Sequence, residues 1–197
     1  MDFSNIQFLS DEEIVLKRDE ERKLQYENRS LSFLKLIPDH FQETEEGLLN
    51  QNLLKKVKSW AWNKNPNTTN LLLYGETGKG KTRNAWIAAK LRYIKTGATV
   101  LSVGAETFAR RIILEPNLMN SHTKVPILVL DDLGKERNTP TAESALFELI
   151  RERMDYKKTT IITTNFLLND LINRFNSQST GKAIARRLKE VSYCLKF

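Results

Sequence analysis

Eight consecutive residues constrain this chain more than any others: Gly75-Glu76-Thr77-Gly78-Lys79-Gly80-Lys81-Thr82. They carry the spacing G-x4-G-K-T and stand between a short apolar run, Leu71 to Tyr74, and a stretch of helical composition, Lys81 to Lys95. Glycines at 75, 78 and 80 let the backbone curl, so that successive N–H groups point inward at the positive end of the following helix. Such a nest takes an anion, and the residues at its end select which one. Lys81 offers a mobile ammonium to the β- and γ-phosphates and Thr82 a hydroxyl to Mg2+, so the predicted ligands are ATP and Mg2+. The expected nucleotide contacts are Gly75, Glu76, Thr77, Gly78, Lys79, Gly80, Lys81, Thr82 and Arg83.

A loop of this kind needs a strand before it and a helix after it, which narrows the fold class to α/β. The rest of the chain agrees. Thr99 to Val103, Ile127 to Asp131, Thr160 to Thr164 and Val191 to Phe197 are strand-length apolar runs, with Lys182 to Glu190 as a helix before the last. Thr139-Pro140 caps another helix, whose stripe is Ala142, Ala145, Leu146, Leu149, Ile150 and Met154. Alternating strands and helices with near-continuous apolar strands predict a parallel sheet covered on both faces.

The front of the chain reads differently. Ser10-Asp11-Glu12-Glu13 has capping-box spacing, and Glu13 with Lys17 and Asp19 with Lys23 stand four apart, which predicts a helix. Its apolar residues, Ile14, Val15, Leu24, Leu31 and Leu34, are sparse, so it reads as a solvent-exposed arm or as a partner-docking segment. After Pro38, residues Leu48, Leu49, Leu53, Val57 and Trp60 recur at helical spacing and predict a helix packed on the core, followed by a loop over 63–70.

Composition excludes several classes. A single cysteine, Cys194, permits no internal disulfide, and with only His40 and His122 besides there are too few soft ligands for structural zinc. The acidic first residues lack a signal peptide's charge, and no apolar run nears the roughly 18 residues that span a bilayer, so a cytoplasmic protein with no membrane partner is expected. Net charge is +7, unevenly placed: residues 1–60 hold 9 Lys/Arg against 12 Asp/Glu, and residues 61–197 hold 22 against 12. An excess of this kind on the second part attracts polyanions, although a basic face is also common solvated surface.

Three further segments carry chemistry. Ile127 to Leu130 is apolar and ends in Asp131-Asp132, 50 residues after Lys81. In a nucleotide site the first carboxylate serves the metal, and the second takes a proton from the attacking water; a helix N-cap pair is the structural alternative. Asp131 is then the metal-side residue, with Thr82, and Asp132 the candidate base. Thr163-Thr164-Asn165 closes another strand, where Asn165 either positions the water or is a turn residue. Gly181 to Leu188 places Arg186 and Arg187 on a short helix. Arginine suits charge on a transferring phosphoryl group, but a DNA-facing or solvated basic helix has the same spacing, and the two readings stay open.

Taken together, strand and phosphate loop, LVLDDLG at Leu128 to Gly134, TTN at Thr163 to Asn165 and the G-x-x-I-x-x-R-L run from Gly181 to Leu188 resemble the AAA+ helicase-loader family of the DnaC/DnaI type, with IstB-like ATPases as relatives. The resemblance covers about residues 68–197. It implies an AAA+ core with a five-stranded parallel sheet between helices; departing from the family, no C-terminal lid domain is expected, and 1–40 is read as a helical N-terminal arm and 41–197 as the ATPase domain. It also implies ATP hydrolysis, assembly into a homo-oligomer with ATP, binding of single-stranded DNA and delivery of a hexameric replicative helicase. By the same resemblance Lys81 and Thr82 belong to Walker A, Asp131 and Asp132 to Walker B, Asn165 is sensor 1 and Arg187 the arginine finger. One departure is chemical: Asp132 stands where AAA+ proteins usually carry the longer Glu, which implies slow turnover. The segment from Gly104 to Val125, with Arg110 and Arg111, is short for the family's DNA-binding insertion. Two alternatives share the core: an IstB-like transposition helper, and a nucleotide-gated DNA-binding adaptor with negligible turnover.

Overall fold

The structure, a computed structural model, describes residues 11–42, 45–63, 69–135 and 139–197. Ser10, and with it the expected capping box, lies outside them, as does most of the expected 63–70 loop. Among the described residues five strands, β1 (Asn70–Tyr74), β2 (Val100–Gly104), β3 (Ile127–Asp131), β4 (Thr159–Thr164) and β5 (Ser192–Lys196), form one sheet in the order β2-β3-β4-β1-β5. Every pairing is parallel, as the apolar, doubly covered strands require.

Side chains alternate across the sheet, so each strand feeds two cores. Leu71, Leu73, Ile127, Val129 and Ile161 face one layer, built from α3 (Gln51–Trp62), α4 (Lys81–Thr96) and the end of α1 (Asp11–Leu34). Leu72, Leu128, Leu130 and Ile162 face the other. That second layer holds α5 (Ala105–Arg111), α6 (Leu118–Lys124), α7 (Pro140–Asp155), α8 (Leu168–Ile172) and α9 (Gln178–Val191). No helix among the described residues is long and apolar enough to cross a membrane.

Several expectations shift in detail. Asp19 pairs with Arg22 at 3.4 Å, three residues on, instead of Lys23. Val15, Leu24 and Leu31 stay exposed on α1, while Phe33 is fully buried against Tyr93 and Trp86 of α4, with ring centroids 5.3 and 6.3 Å away. The arginine one turn earlier reinforces this: Arg29 donates to the carbonyl of Ile94 at 2.7 Å. The expected helix at Leu48 begins only at Gln51, because Asn50 accepts from the N–H groups of Asn52 and Leu53 and starts the helix there. Leu48 therefore sits in a preceding 3-10 turn (α2 is the short helix Asp39–Gln42), and Leu54 instead of Leu53 reaches the core. Helix α9 starts at Gln178 and not Lys182, since Ser177 accepts from the N–H of Thr180.

Two clamps hold the second layer. Glu143 of α7 accepts from the backbone N–H groups of Asn176 and Ser177, just ahead of α9. Arg153, fully buried near the other end of α7, donates to the carbonyls of His122, Thr123, Val125 and Thr159 and to the hydroxyl of Thr160. Burial drives its guanidinium down to about 10, and the ring of acceptors is what makes its burial tolerable.

Candidate functional site

Strand order builds the site. Because β4 lies between β3 and β1, the ends of these strands bring Asp131, Asn165 and the glycine loop side by side at the C-terminal edge of the sheet. In open parallel sheets that edge is where ligands gather. The loop leaves β1 at Gly75, whose φ is +124° and whose backbone passes so near the end of β5 that an added Cβ would stand 2.1 Å from the carbonyl oxygen of Phe197. Only glycine fits there. Helix α4 then begins at Lys81, directly after the loop.

A cavity of about 480 Å³ opens over the loop. Thr77, Gly78, Lys79, Gly80, Lys81, Thr82 and Arg83 form its floor, and Asp132, Lys135 and Asn165 its far wall. Among the described residues Lys79, Lys81, Arg83 and Lys135 set four cations against the single carboxylate of Asp132, which fits a polyanion. Lys81 is 5% exposed and donates to the carbonyls of Gly75 (2.9 Å) and Glu76 (2.5 Å). Burial lowers its pKa below the ordinary lysine value; Asp132 and Asp131 oppose that shift, and Lys135 adds to it. A phosphate placed in the cavity supplies the negative charge that this ammonium lacks.

The carboxylates are tied together by hydroxyls. Asp131 Oδ1 accepts from Thr82 Oγ1 at 3.0 Å and from Thr163 Oγ1 at 2.5 Å. Thr163 Oγ1 in turn accepts from the N–H of Asp132 at 2.9 Å. Asp132 adopts a left-handed backbone (φ +59°), which turns it out of β3 toward the cavity. Its Oδ1 accepts from Asn165 Nδ2 at 3.0 Å and its Oδ2 from Lys135 Nζ at 2.9 Å. No group of three or more His, Cys, Asp or Glu gathers among the described residues. The donor set is thus one carboxylate and one hydroxyl, the hard-oxygen pair that suits Mg2+ sharing phosphate and water ligands.

Thr77 to Arg83, Asp132 and Asn165 thus meet at one cavity, with Asp131 joined through Thr82 and Thr163. Gly75 and Glu76 instead border an adjoining groove of about 220 Å³ with Phe166, Asp170 and Lys196. Arg187 stands apart: it lines neither space, and its guanidinium donates to Asp155 of the same chain at 3.0 Å. Sequence reading missed the wall of Phe41, Leu48 and Leu49, with the polar Asn50 beside them. An Asn before a helical stretch was a visible cap signal for Asn50; nothing local marks the other three. Lys135 and the bridging role of Thr163 were missed as well.

The sequence profile of the family described as IstB-like ATP binding protein matches residues 3–196. Among solved structures, the DnaC helicase loader is 26% identical with a TM-score of 0.65, covering 75% of this chain and 89% of that one. DnaI is 20% identical (TM-score 0.68; 81% and 94% covered), and domain III of the Thermotoga maritima replication initiation protein DnaA is 18% identical (TM-score 0.64; 82% and 68%). No curated protein matches by sequence.

Proposed function

The chain belongs to the IstB-like ATP-binding proteins, with an AAA+ core like those of DnaC and DnaI, and from that premise we propose that it hydrolyses ATP to load a hexameric replicative helicase onto single-stranded DNA. The observation that carries the hydrolytic reading is the run of hydrogen bonds from Thr82 through Asp131 and Thr163 to Asp132 and Asn165 beside a cationic cavity. Similarity to DnaC over 89% of its length supports the loader role.

Each residue has a task. The loop N–H groups and Lys81 bind the β- and γ-phosphates, and the apolar wall of Phe41, Leu48 and Leu49 receives the base. Thr82 and Asp131 would hold Mg2+, which supplies neutralisation of phosphate charge when bound. Asn165 orients a water and Asp132 takes its proton. The water oxygen bonds to the γ-phosphorus as the bond to the β,γ-bridging oxygen breaks, and that electron pair leaves with ADP. Arg187 acts in a neighbouring protomer of an ATP-bound homo-oligomer, after giving up Asp155. Residues 1–40 serve as the arm of an ATPase domain spanning 41–197, in the cytoplasm.

The second reading is an IstB-like transposition helper, in which the same ATPase delivers a recombinase; membership of the IstB-like family is what supports it. Affinity capture from native lysate with ATP separates the two: a co-purifying replicative helicase supports the loader, a transposase the helper. Calorimetry on Lys81→Ala tests the shared chemistry, with loss of Mg-ATP binding expected and unchanged affinity overturning the site.

A further inference from the structure

Among the described residues, sequence motifs account for every cation facing the cavity except Lys135. It follows Gly134 in a turn fixed by the end of β4 and the residues after it. Leu133 N–H donates to the carbonyl of Thr163 at 2.9 Å, Thr164 Oγ1 donates to the carbonyl of Leu133 at 2.7 Å, and Arg174 Nε donates to the carbonyl of Gly134 at 3.0 Å. Gly134 (φ +95°) is wedged so tightly that an added Cβ would meet Leu171 at 2.8 Å and Phe166 at 2.9 Å. The backbone leading into Lys135 is therefore held in place by these contacts. Its side chain is not confined: it is 47% exposed on a flexible four-carbon stem.

The ammonium lies 2.9 Å from Asp132 Oδ2, while Asn165 engages Oδ1. A carboxylate held on both oxygens is a poor acceptor for a water's proton. Lys81 is buried and bound to two loop carbonyls, so of these two lysines Lys135 is the one free to swing. An ion pair this exposed has little net strength, whereas ammonium bonds to a phosphate oxygen are charge-assisted and the phosphate carries more charge. Repulsion between Lys135 and Lys81 also falls once a polyanion lies between them.

We infer that Lys135 reads the terminal phosphate: its ammonium occupies Asp132 Oδ2 until the γ-phosphate of ATP draws it away, and its departure frees that oxygen to accept the proton of the attacking water. ADP, lacking that phosphate, leaves the lock in place. Asp132 is thus released only when there is a bond to break. This rests on the ATPase reading of the site.

The test is equilibrium binding of the full chain, with Mg2+, to the non-hydrolysable β,γ-methylene analogue of ATP and to ADP. In Lys135→Ala the triphosphate-to-diphosphate affinity ratio should fall about tenfold, or about 1.4 kcal/mol, with ADP affinity held within about twofold and most of the ratio restored in Lys135→Arg. A merely structural lysine would weaken both nucleotides alike. Equal losses, or a ratio unchanged while wild type binds both nucleotides, overturns the inference alone. A wild type that binds neither nucleotide overturns the ATPase reading and this inference with it.

Discussion

Replacing Thr163 by Val removes one oxygen from the centre of the site while keeping the side chain's shape. Thr163 is fully buried, and its hydroxyl both donates to Asp131 Oδ1 and accepts from the N–H of Asp132. A hydrogen bond to a charged group contributes about 1.5–3 kcal/mol, and an orphaned buried N–H costs about 1–3 kcal/mol. The two losses share one atom and so overlap, Asp131 keeps Thr82 as a donor, and the new methyl returns about 0.8 kcal/mol of burial. The expected net destabilisation is about 2–4 kcal/mol. Urea unfolding followed by circular dichroism should show it as a lower midpoint with an unchanged slope. Thr163→Ser keeps the hydroxyl and should lose only about 1 kcal/mol. Mg-nucleotide affinity should drop in the Val variant and hold in the Ser variant, because only the former loosens Asp131. A Val variant that loses less than about 1 kcal/mol, or a Ser variant equally damaged, would refute the bridging role.

Arg187→Ala should leave nucleotide affinity nearly intact and cost under about 1 kcal/mol of stability, since its pair with Asp155 is partly exposed, yet cut assembled-state turnover by about 10³-fold; normal turnover in the variant returns this arginine to a surface role. Mixing it with Lys81→Ala should recover some activity at interfaces that pair an intact finger with an intact loop. Arg153→Met strands three buried carbonyls and a part-buried one and should destabilise by about 3 kcal/mol or more in urea, a loss below about 1 kcal/mol meaning that they find other partners. His122 has its pKa lowered by burial, with Arg111 and Arg153 adding repulsion against its bond to the Leu118 carbonyl. The unfolded chain therefore binds the proton first: stability should hold above about pH 6.5 and decline as pH falls below it toward the lowered folded value, and His122→Gln should flatten that decline in melts across pH.

What could be read from the sequence was local. The loop's function depends on residues that are neighbours in the chain, so Gly75 to Thr82 announced a phosphate nest without any fold. Strand-length apolar runs gave the strands, and polar residues at their ends gave Asp131, Asp132 and Asn165 as candidates. Helix starts failed where a cap decided them: Asn50 and Ser177 moved the starts of α3 and α9 away from where apolar spacing placed them. Helices α5, α6 and α8, at seven residues or fewer, are too short to show a period.

The amino-acid sequence by itself determined a phosphate-loop motif in an α/β frame, because glycine conformations, an ammonium and a strand-to-helix junction are properties of contiguous residues. Tertiary structure alone decided which side chains meet. Placing β4 between β3 and β1 sets the Thr163 hydroxyl against a carboxylate 32 residues away, and packing beside α4 brings Phe41 and Leu49 over the loop. The same folding turns Arg187 toward Asp155 and seats Lys135 on Asp132. Periodicity reports which face of an element is buried but carries no information about which element lies beside it, and it is strand order that converts a list of polar residues into a site.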